Sequence, residues 1–209
     1  MNRAVPLLLL GIILATYWGC VMRMAYRARI KGRASNLVPP ERIGKILRLV
    51  WTPIIVIWVS HPFLTAHSRR QSWPWRPFYY DSRIAWIALF IVAACFVATW
   101  ICWNRMGSAW RMGIDPAEKT ALIASGPFAY VRHPIYALSQ LMMLATVAAI
   151  PSLLMIGTGI THLILLQWES RREEAHLLRV QPQRYARYQS QVGRFLPKRL
   201  RPYIDAGED

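Results

Sequence analysis

The sequence predicts an all-α fold, an integral membrane bundle of about five spans with a helical tail at its C-terminal end. Hydrophobic residues make up 55% of the 209 residues, and they are grouped in five blocks that contain no acidic side chain. The blocks are Ala4–Met22, Ile46–Leu64, Ile84–Trp103, Ile135–Ile150 and Ser152–Trp168. A helix needs about 20 apolar residues to cross a bilayer, with a tolerated range of about 17–25. The first three blocks therefore predict three full spans.

The last two blocks are shorter than the others, and Pro151 separates them. Two thin spans and a tight helical hairpin are both compatible with their length, and we favour the hairpin. Beyond them, Glu169–Val180 is polar and amphipathic, and Gln181-Pro182 interrupts it. Because proline suits the first turn of a helix, a second short helix is predicted to begin there. It would place Tyr185, Tyr188 and Val192 on one face.

The positive charge is distributed unequally between the two predicted membrane faces. Of the 26 Lys and Arg residues, 21 fall in the segments 23–48, 105–132 and 171–201, and the other 5 lie at the N-terminus and between residues 69 and 83. Cytoplasmic loops carry the excess of Lys and Arg, so we predict an external N-terminus and a cytoplasmic C-terminus, in a bacterial inner membrane. The charge then attracts anionic lipid, and no nucleic-acid partner is expected.

Four further patterns concern the loops, the thiols and the packing of helices. Arg23–Lys45 is predicted to be a polar cytoplasmic loop, with Pro39-Pro40 as an extended break. The aromatic residues of the loop Thr65–Arg83 suit the membrane–water boundary. The three cysteines all lie in apolar blocks, so buried thiols are expected rather than a disulfide or metal framework. Gly157-Thr158-Gly159 lies inside a span and indicates close helix packing.

A cationic motif precedes the fourth block. Pro134 is predicted to begin the helix, because proline fixes φ and has no amide hydrogen. His133 then occupies the cap position, where free backbone amides offer an anion site. Arg132 adds a planar fork suited to a carboxylate, and Tyr136 adds a hydroxyl. The alternative is a positively charged membrane anchor before a proline-started helix.

An acidic pair, Glu173-Glu174, follows the last apolar block. On a surface helix the two carboxylates would simply pair with Arg171, Arg172 or His176, and such exposed pairs are weak. One hairpin, however, separates this pair from the cationic motif, so both clusters can meet at the same membrane face. Together they can hold the carboxylate and the ammonium group of one small zwitterion.

The run from Thr120 to Tyr136, TALIASGPFAYVRHPIY, resembles the signature of isoprenylcysteine carboxyl methyltransferases and of their bacterial and phospholipid-methylating relatives. The acidic pair, Leu177, Tyr185, Tyr188 and the closing VGRFLP segment of residues 192–197 match in order and spacing. The resemblance covers residues 120–197, whereas residues 1–119 match only as membrane spans and loops. It implies one domain over residues 1–209, with the cofactor and catalytic region in 120–197.

The resemblance implies an integral membrane methyltransferase that uses S-adenosylmethionine and acts on a lipophilic acceptor. Thr120, Ala121, Leu122 and Ile123 would line the adenosine side of the cofactor, and Phe128 stands where these enzymes often have Tyr. His133, Pro134, Ile135 and Tyr136 would contact the methionine part, with Glu173 and Glu174 holding polar groups of the cofactor. Arg132 and Glu173 are the expected catalytic residues, acting by position and without a covalent intermediate. No metal is expected.

Two positions depart from the family pattern. Gln181-Pro182 stands where the family has Phe-Gly, and Glu169 stands where the prenylcysteine enzymes have an Arg that is proposed to meet the substrate carboxylate. Glu169 weakens the case for a carboxylate acceptor, so a prenylated cysteine, an aminolipid and a small thiol all remain open. The missing Gly-x-Gly-x-x-Gly fingerprint excludes a soluble Rossmann-type enzyme.

Two other functions are compatible with parts of the sequence. Sterol reductases, which use NADPH, resemble the C-terminal region and have an Arg-His-Pro-Asn-Tyr run, but this chain has Ile135 in place of the Asn. A membrane protein without catalytic activity would use its basic face on anionic lipid. The cofactor that binds distinguishes the three: S-adenosylmethionine, NADPH or neither.

Overall fold

A computed structural model describes residues 4–30, 42–68, 72–110 and 122–204. Over these residues the chain is a bundle of six α-helices, with two short 3₁₀ turns and no strand beyond isolated bridges. The helices are α1 (Ala4–Ile30), α2 (Arg42–His67), α3 (Ser82–Met106), α4 (Pro134–Ala149), α5 (Leu153–Val180) and α6 (Pro182–Gln191). The predicted all-α fold is thereby confirmed.

Three helices, α1, α2 and α3, are long and apolar enough to cross a membrane. Helix α2 contains Pro53 and Pro62 in its interior, and proline is tolerated in a span where neighbouring helices satisfy the freed backbone groups. Helix α4 is apolar but has only 16 residues. The three long spans agree with the sequence, and the two further spans remain a prediction.

The predicted loop Arg23–Lys45 is wrong in its extent. Helix α1 continues through Ile30, and α2 begins at Arg42. Arg and Met are good helix formers, so α1 continues beyond its apolar block and keeps its helical backbone hydrogen bonds there. Pro39-Pro40 lies outside the described residues.

Helices α4 and α5 form the predicted hairpin. The Ile150 amide donates to the Thr146 carbonyl oxygen at 2.9 Å, and the Ser152 hydroxyl caps α5 by accepting from the Met155 amide at 3.1 Å. A Cβ atom on Gly159 would lie 3.0 Å from a methyl carbon of Val147. The helices therefore pack closely at this glycine, as the sequence indicated.

Helix α5 continues beyond the apolar block without a break and carries the polar stretch Glu169–Val180 on the same axis. Helix α6 begins at Pro182, as predicted, and buries Tyr185 and Tyr188. These two rings pack with Ala129, Val192 and Tyr203 in a small core of their own. The C-terminal tail therefore folds against the residues that precede α4.

The main core lies among α1–α4 and includes Leu10, Trp58, Val92 and Met142. The three cysteines are free thiols. Cys95 and Cys102 are buried, as expected, whereas Cys20 is half-buried.

Candidate active site

A cavity of about 270 Å³ opens among all six helices, close to the lower end of the size range of small-molecule sites. One wall is aromatic and belongs to the N-terminal half of the chain. Its members are Tyr17 and Trp18 of α1, Trp51 of α2, Trp103 of α3, and Trp110. Most of the charged lining residues come from α5 and from the residues before α4, and Arg48 of α2 joins them.

The residues before α4 are fixed by a tight turn and by the C-terminal tail. Gly126 has a φ of +62°, a conformation that glycine adopts without strain, and it opens the 3₁₀ turn Gly126–Ala129. The amides of Arg132 and His133 donate to the carbonyl oxygens of Gly193 and Arg194, at 2.8 and 3.0 Å. This pairing gives a structural reason for the closing segment of residues 192–197 to match the family pattern together with the motif before α4.

Gly193 permits this pairing. A Cβ atom at this position would lie 1.8 Å from the Leu196 carbonyl oxygen, so no larger residue fits without a backbone shift. The Tyr188 hydroxyl also donates to the Phe128 carbonyl oxygen, and the Tyr203 amide donates to that of Ala129 at 3.0 Å.

His133 is the N-cap of α4 and Pro134 is its first residue, as predicted. The imidazole stacks on the Tyr136 ring, with centroids 5.4 Å apart and planes 4° from parallel. The predicted anion site on the backbone remains a prediction. The amides of Arg132 and His133 donate to the tail and Pro134 has no amide hydrogen, so such a site would depend on the first-turn amides of Ile135 and Tyr136.

Glu174 lies at the centre of a buried ionic cluster and is 3% exposed. Its carboxylate accepts from Arg132 at 2.8 Å, from Arg194 at 2.6 Å and from Gln189 at 3.3 Å. Burial alone would raise the pKa of Glu174, but hydrogen bonds from His133, Arg194 and Arg132 outweigh it and hold the pKa well below its ordinary value. The weak, exposed pairing considered for this residue is therefore wrong.

Arg132 is committed to the same cluster. Its guanidinium donates to Glu174 and also to the carbonyl oxygens of Gln189 and Val192. With 6% of its side chain exposed, it holds the start of α4 against α5 and the tail. This geometry favours a positioning role for Arg132, whereas the predicted catalytic role remains a prediction. Glu174 does not line the cavity.

Glu173, the next residue, faces the cavity instead. One carboxylate oxygen accepts from the Tyr136 hydroxyl, and the other lies 3.4 Å from His133 Nδ1. Its side chain is 26% exposed, compared with 4% for that of Glu174. Of the predicted acidic pair, Glu173 is thus the member that can meet a ligand.

His133 joins the two carboxylates, because its Nε2 atom lies 3.3 Å from a Glu174 oxygen. Burial by itself would lower the pKa of His133, but the interactions with Glu173 and Glu174 outweigh it and raise the pKa above its ordinary value. The ring lies between the two acids with one nitrogen close to each, and both carboxylates favour its protonated form.

Glu169 and Arg172 line the cavity beside Glu173 as a second charged pair. The Glu169 carboxylate accepts a hydrogen bond from the Arg172 guanidinium at 3.1 Å. Burial and the nearby Glu173 raise the pKa of Glu169, against the opposing charges of Arg172 and Arg48. Arg171 is exposed, on a different face of α5.

The remaining predicted residues divide as follows. Leu122, Ile123, Phe128, Pro134 and Ile135 line the cavity with His133, Tyr136 and Glu173. Thr120 and Ala121 lie outside the described residues.

Sequence reasoning missed the contribution of the N-terminal half. Arg48 and the aromatic wall line the cavity, although they belong to helices that matched only as membrane spans. The one signal was Arg48 itself, a charged residue inside an apolar block. Intramembrane charges commonly mark functional sites.

Comparison with curated proteins found no match for the chain. A family model described as phospholipid methyltransferase, however, matches residues 83–184. The matched region begins in α3, so it extends further toward the N-terminus than the resemblance in the sequence, and it ends within α6. It includes the motif before α4 and the acidic pair of α5. Residues 83–184 are therefore similar to the phospholipid methyltransferase family, a family of integral membrane methyltransferases.

Proposed function

We propose that this protein uses S-adenosylmethionine to methylate a lipophilic acceptor that enters its cavity from the membrane. The observation that carries the proposal is the position of Glu173, His133 and Tyr136. They form a polar cluster on a cavity whose other wall is aromatic and is built by membrane-spanning helices. The match of residues 83–184 to a methyltransferase family model supports the same reaction class.

The residues on the cavity fit the cofactor chemically. S-adenosylmethionine has an ammonium group, a sulfonium, a carboxylate and an adenine ring. Glu173 and Glu169 supply negative charge, and Arg48 and Arg172 supply positive charge, on one side of the cavity. The tryptophans on the other side offer flat faces for a ring or for a cation.

When bound, the cofactor supplies an electrophilic methyl group on its sulfonium. The protein residues contribute alignment and exclusion of water, which together are worth roughly 7–11 kcal/mol when reacting groups are held in near-attack geometry. Glu173 is held in place by the Tyr136 hydroxyl and by His133, and these in turn are fixed by the ionic cluster of Glu174. No protein nucleophile is needed.

The distribution of charge supports an orientation in which the polar end of the cavity faces the cytoplasm. Arg132, Arg172 and the basic tail lie at this end, and the excess of Lys and Arg marks the cytoplasmic side. The cofactor then enters from water and the acceptor from the bilayer.

The proposal is tested with membranes that contain the protein, incubated with methyl-labelled S-adenosylmethionine, followed by separation of the labelled lipids and small molecules. We expect a labelled lipophilic product that is lost with Glu173→Gln and kept with Arg171→Gln, a matched change at an exposed position of α5. Equal labelling in membranes with and without the protein would refute the proposal.

A further inference from the structure

One buried ionisable residue, His162, takes no part in the site described above. It lies in α5 and is 0% exposed, facing the interior of the bundle. Its Nε2 atom lies 3.2 Å from the Ser139 hydroxyl of α4, and its Nδ1 atom has no hydrogen-bond partner within the described ranges. A buried polar group without a partner is costly, so its presence calls for an explanation.

The surroundings of His162 are aromatic rather than ionic. The rings of Trp51 and Trp58, from α2, lie 5.1 and 5.0 Å from the imidazole, at steep angles. His162 makes no ion pair with any described residue. Burial of this kind favours the neutral form of an imidazole, which has one ring nitrogen that can accept a hydrogen bond from the Ser139 hydroxyl.

His162 is connected to the cavity through a single hydroxyl group. Ser139 lines the cavity and His162 does not, so Ser139 connects the imidazole with the cavity. The Tyr17 hydroxyl of α1 also contacts Ser139, and Cys95 and Cys102 of α3 lie near Tyr17. These are the titratable groups that face the pair; the charged residues of the cavity belong to its polar end.

We propose that Ser139 and His162 form a proton relay in the cavity wall, which serves an acceptor that carries a proton on its nucleophilic atom. This inference rests on the proposed methyl transfer. It predicts that the acceptor is of the amine, thiol or hydroxyl type, because a carboxylate has no proton to lose. His162 acts only through Ser139 and is a positioning residue for that hydroxyl.

The relay balances as follows. The nucleophilic atom of the acceptor forms a bond to the methyl carbon, while the carbon–sulfur bond breaks and leaves its electron pair on sulfur. The proton on the nucleophile passes to Ser139 Oγ as the Ser139 hydroxyl proton passes to His162 Nε2. After the product leaves, His162 returns one proton to water through Ser139, and the neutral ring is restored.

The kinetic test compares His162→Gln and Ser139→Ala with the wild-type protein in phosphatidylcholine vesicles. About one lipid in five in these vesicles is phosphatidylethanolamine, which carries an amine. General base catalysis typically contributes about 10²–10⁴-fold, so kcat should fall about 100-fold or more in both variants. The acid limb of the kcat–pH profile should disappear with His162→Gln, while the Kd for S-adenosylmethionine stays unchanged. Ser139→Thr, which keeps the hydroxyl, should restore the rate.

Two controls separate the relay from a structural role. Thr158→Val changes another buried polar side chain of α5 and should leave kcat and its pH profile unchanged. N-acetyl-farnesylcysteine, whose amine is blocked and whose acceptor group is a carboxylate, should show no greater loss with His162→Gln than with Thr158→Val.

A readout independent of turnover is the ¹⁵N spectrum of histidine in the purified protein. The signal that is missing in His162→Gln identifies His162 among the five histidines. We expect a neutral ring at pH 7 whose Nε2 resonance shifts in Ser139→Ala. A charged His162, or a signal that does not respond to Ser139→Ala, would overturn the relay.

The outcomes also separate this inference from the proposed function. A wild-type protein that binds no S-adenosylmethionine refutes both. A wild-type protein that binds it and transfers methyl groups, with kcat and the acid limb intact in His162→Gln, overturns the relay alone.

Discussion

Glu173 and Glu174 are adjacent in the sequence, but they belong to two different regions of the molecule. Glu174 lies in a buried ionic cluster with Arg132 and Arg194, where each acceptor oxygen has a donor. Glu173 lies at the cavity surface, where Tyr136 and His133 hold it and part of the carboxylate remains exposed. One residue step turns a helix by about 100°, which is enough to separate the two environments.

The two members of the acidic pair have different roles, one structural and one at the cavity, and these roles require opposite surroundings. The cluster around Glu174 joins α5 to α6, to the tail and to the residues before α4, because its donors are Gln189, Arg194 and Arg132. The cavity face requires charge that a ligand can still reach. His133 contacts both carboxylates and couples the two regions.

The largest expected effect is on stability, from Glu174→Gln. Loss of this carboxylate leaves the buried Arg132 and the partly exposed Arg194 without their counter-ion, and breaking a buried pair such as Arg132–Glu174 typically costs about 3–5 kcal/mol. Unfolding in detergent, followed by circular dichroism, measures the loss. The matched variant Glu173→Gln should unfold much closer to the wild type, and equal destabilisation by the two changes would remove the distinction.

The next effect is on cofactor affinity, from Glu173→Gln. A hydrogen bond to a charged group contributes about 1.5–3 kcal/mol, so the Kd for S-adenosylmethionine should rise roughly 10- to 100-fold. Isothermal titration calorimetry of the purified protein gives the Kd directly. An unchanged Kd would mean that Glu173 does not face the cofactor.

The sequence predicted the fold and much of the site because local rules determine them. The apolar blocks required helices, Pro134 and Pro182 marked helix starts, and the spacing of Tyr185 and Tyr188 marked a buried face. Which acid faces the cavity was not predictable, because it depends on the rotation of α5 against α4. Arg48 was missed for the same reason, since its place on the cavity depends on packing between distant helices.

A third prediction concerns pH and the link between the two regions. The pKa of His133 is raised, so its contribution to stability is full below about pH 6.5 and is lost as the pH rises through the folded-state value. The pKa of Glu174 is depressed, so its contribution is full above about pH 4.5 and is lost as the pH falls through its folded-state value.

These two groups therefore contribute most to stability between about pH 4.5 and 6.5. Thermal unfolding across this range and above it is the measurement. His133→Gln should flatten the decline on the alkaline side and leave the acid side in place. An unchanged alkaline decline in that variant would contradict the assignment.

The smallest effect on the affinity for the cofactor is expected from a change at Glu169. Its partly exposed pair with Arg172 is worth about 0–1 kcal/mol, so Glu169→Gln should change the Kd for S-adenosylmethionine less than about 5-fold. Glu169→Arg should instead lower the KM for a carboxylate acceptor such as farnesylcysteine, because it replaces a negative charge on the cavity with a positive one. Steady-state assays with paired acceptors measure this, and a KM that rises would contradict the proposed place of the acceptor.

The central claim is that the cavity takes S-adenosylmethionine. Equilibrium binding of labelled S-adenosylmethionine and of labelled NADPH to the wild-type protein, purified in lipid nanodiscs, tests it most directly. The proposed function predicts saturable binding of S-adenosylmethionine that an excess of NADPH does not displace. Binding of NADPH instead, or of neither ligand, would contradict it.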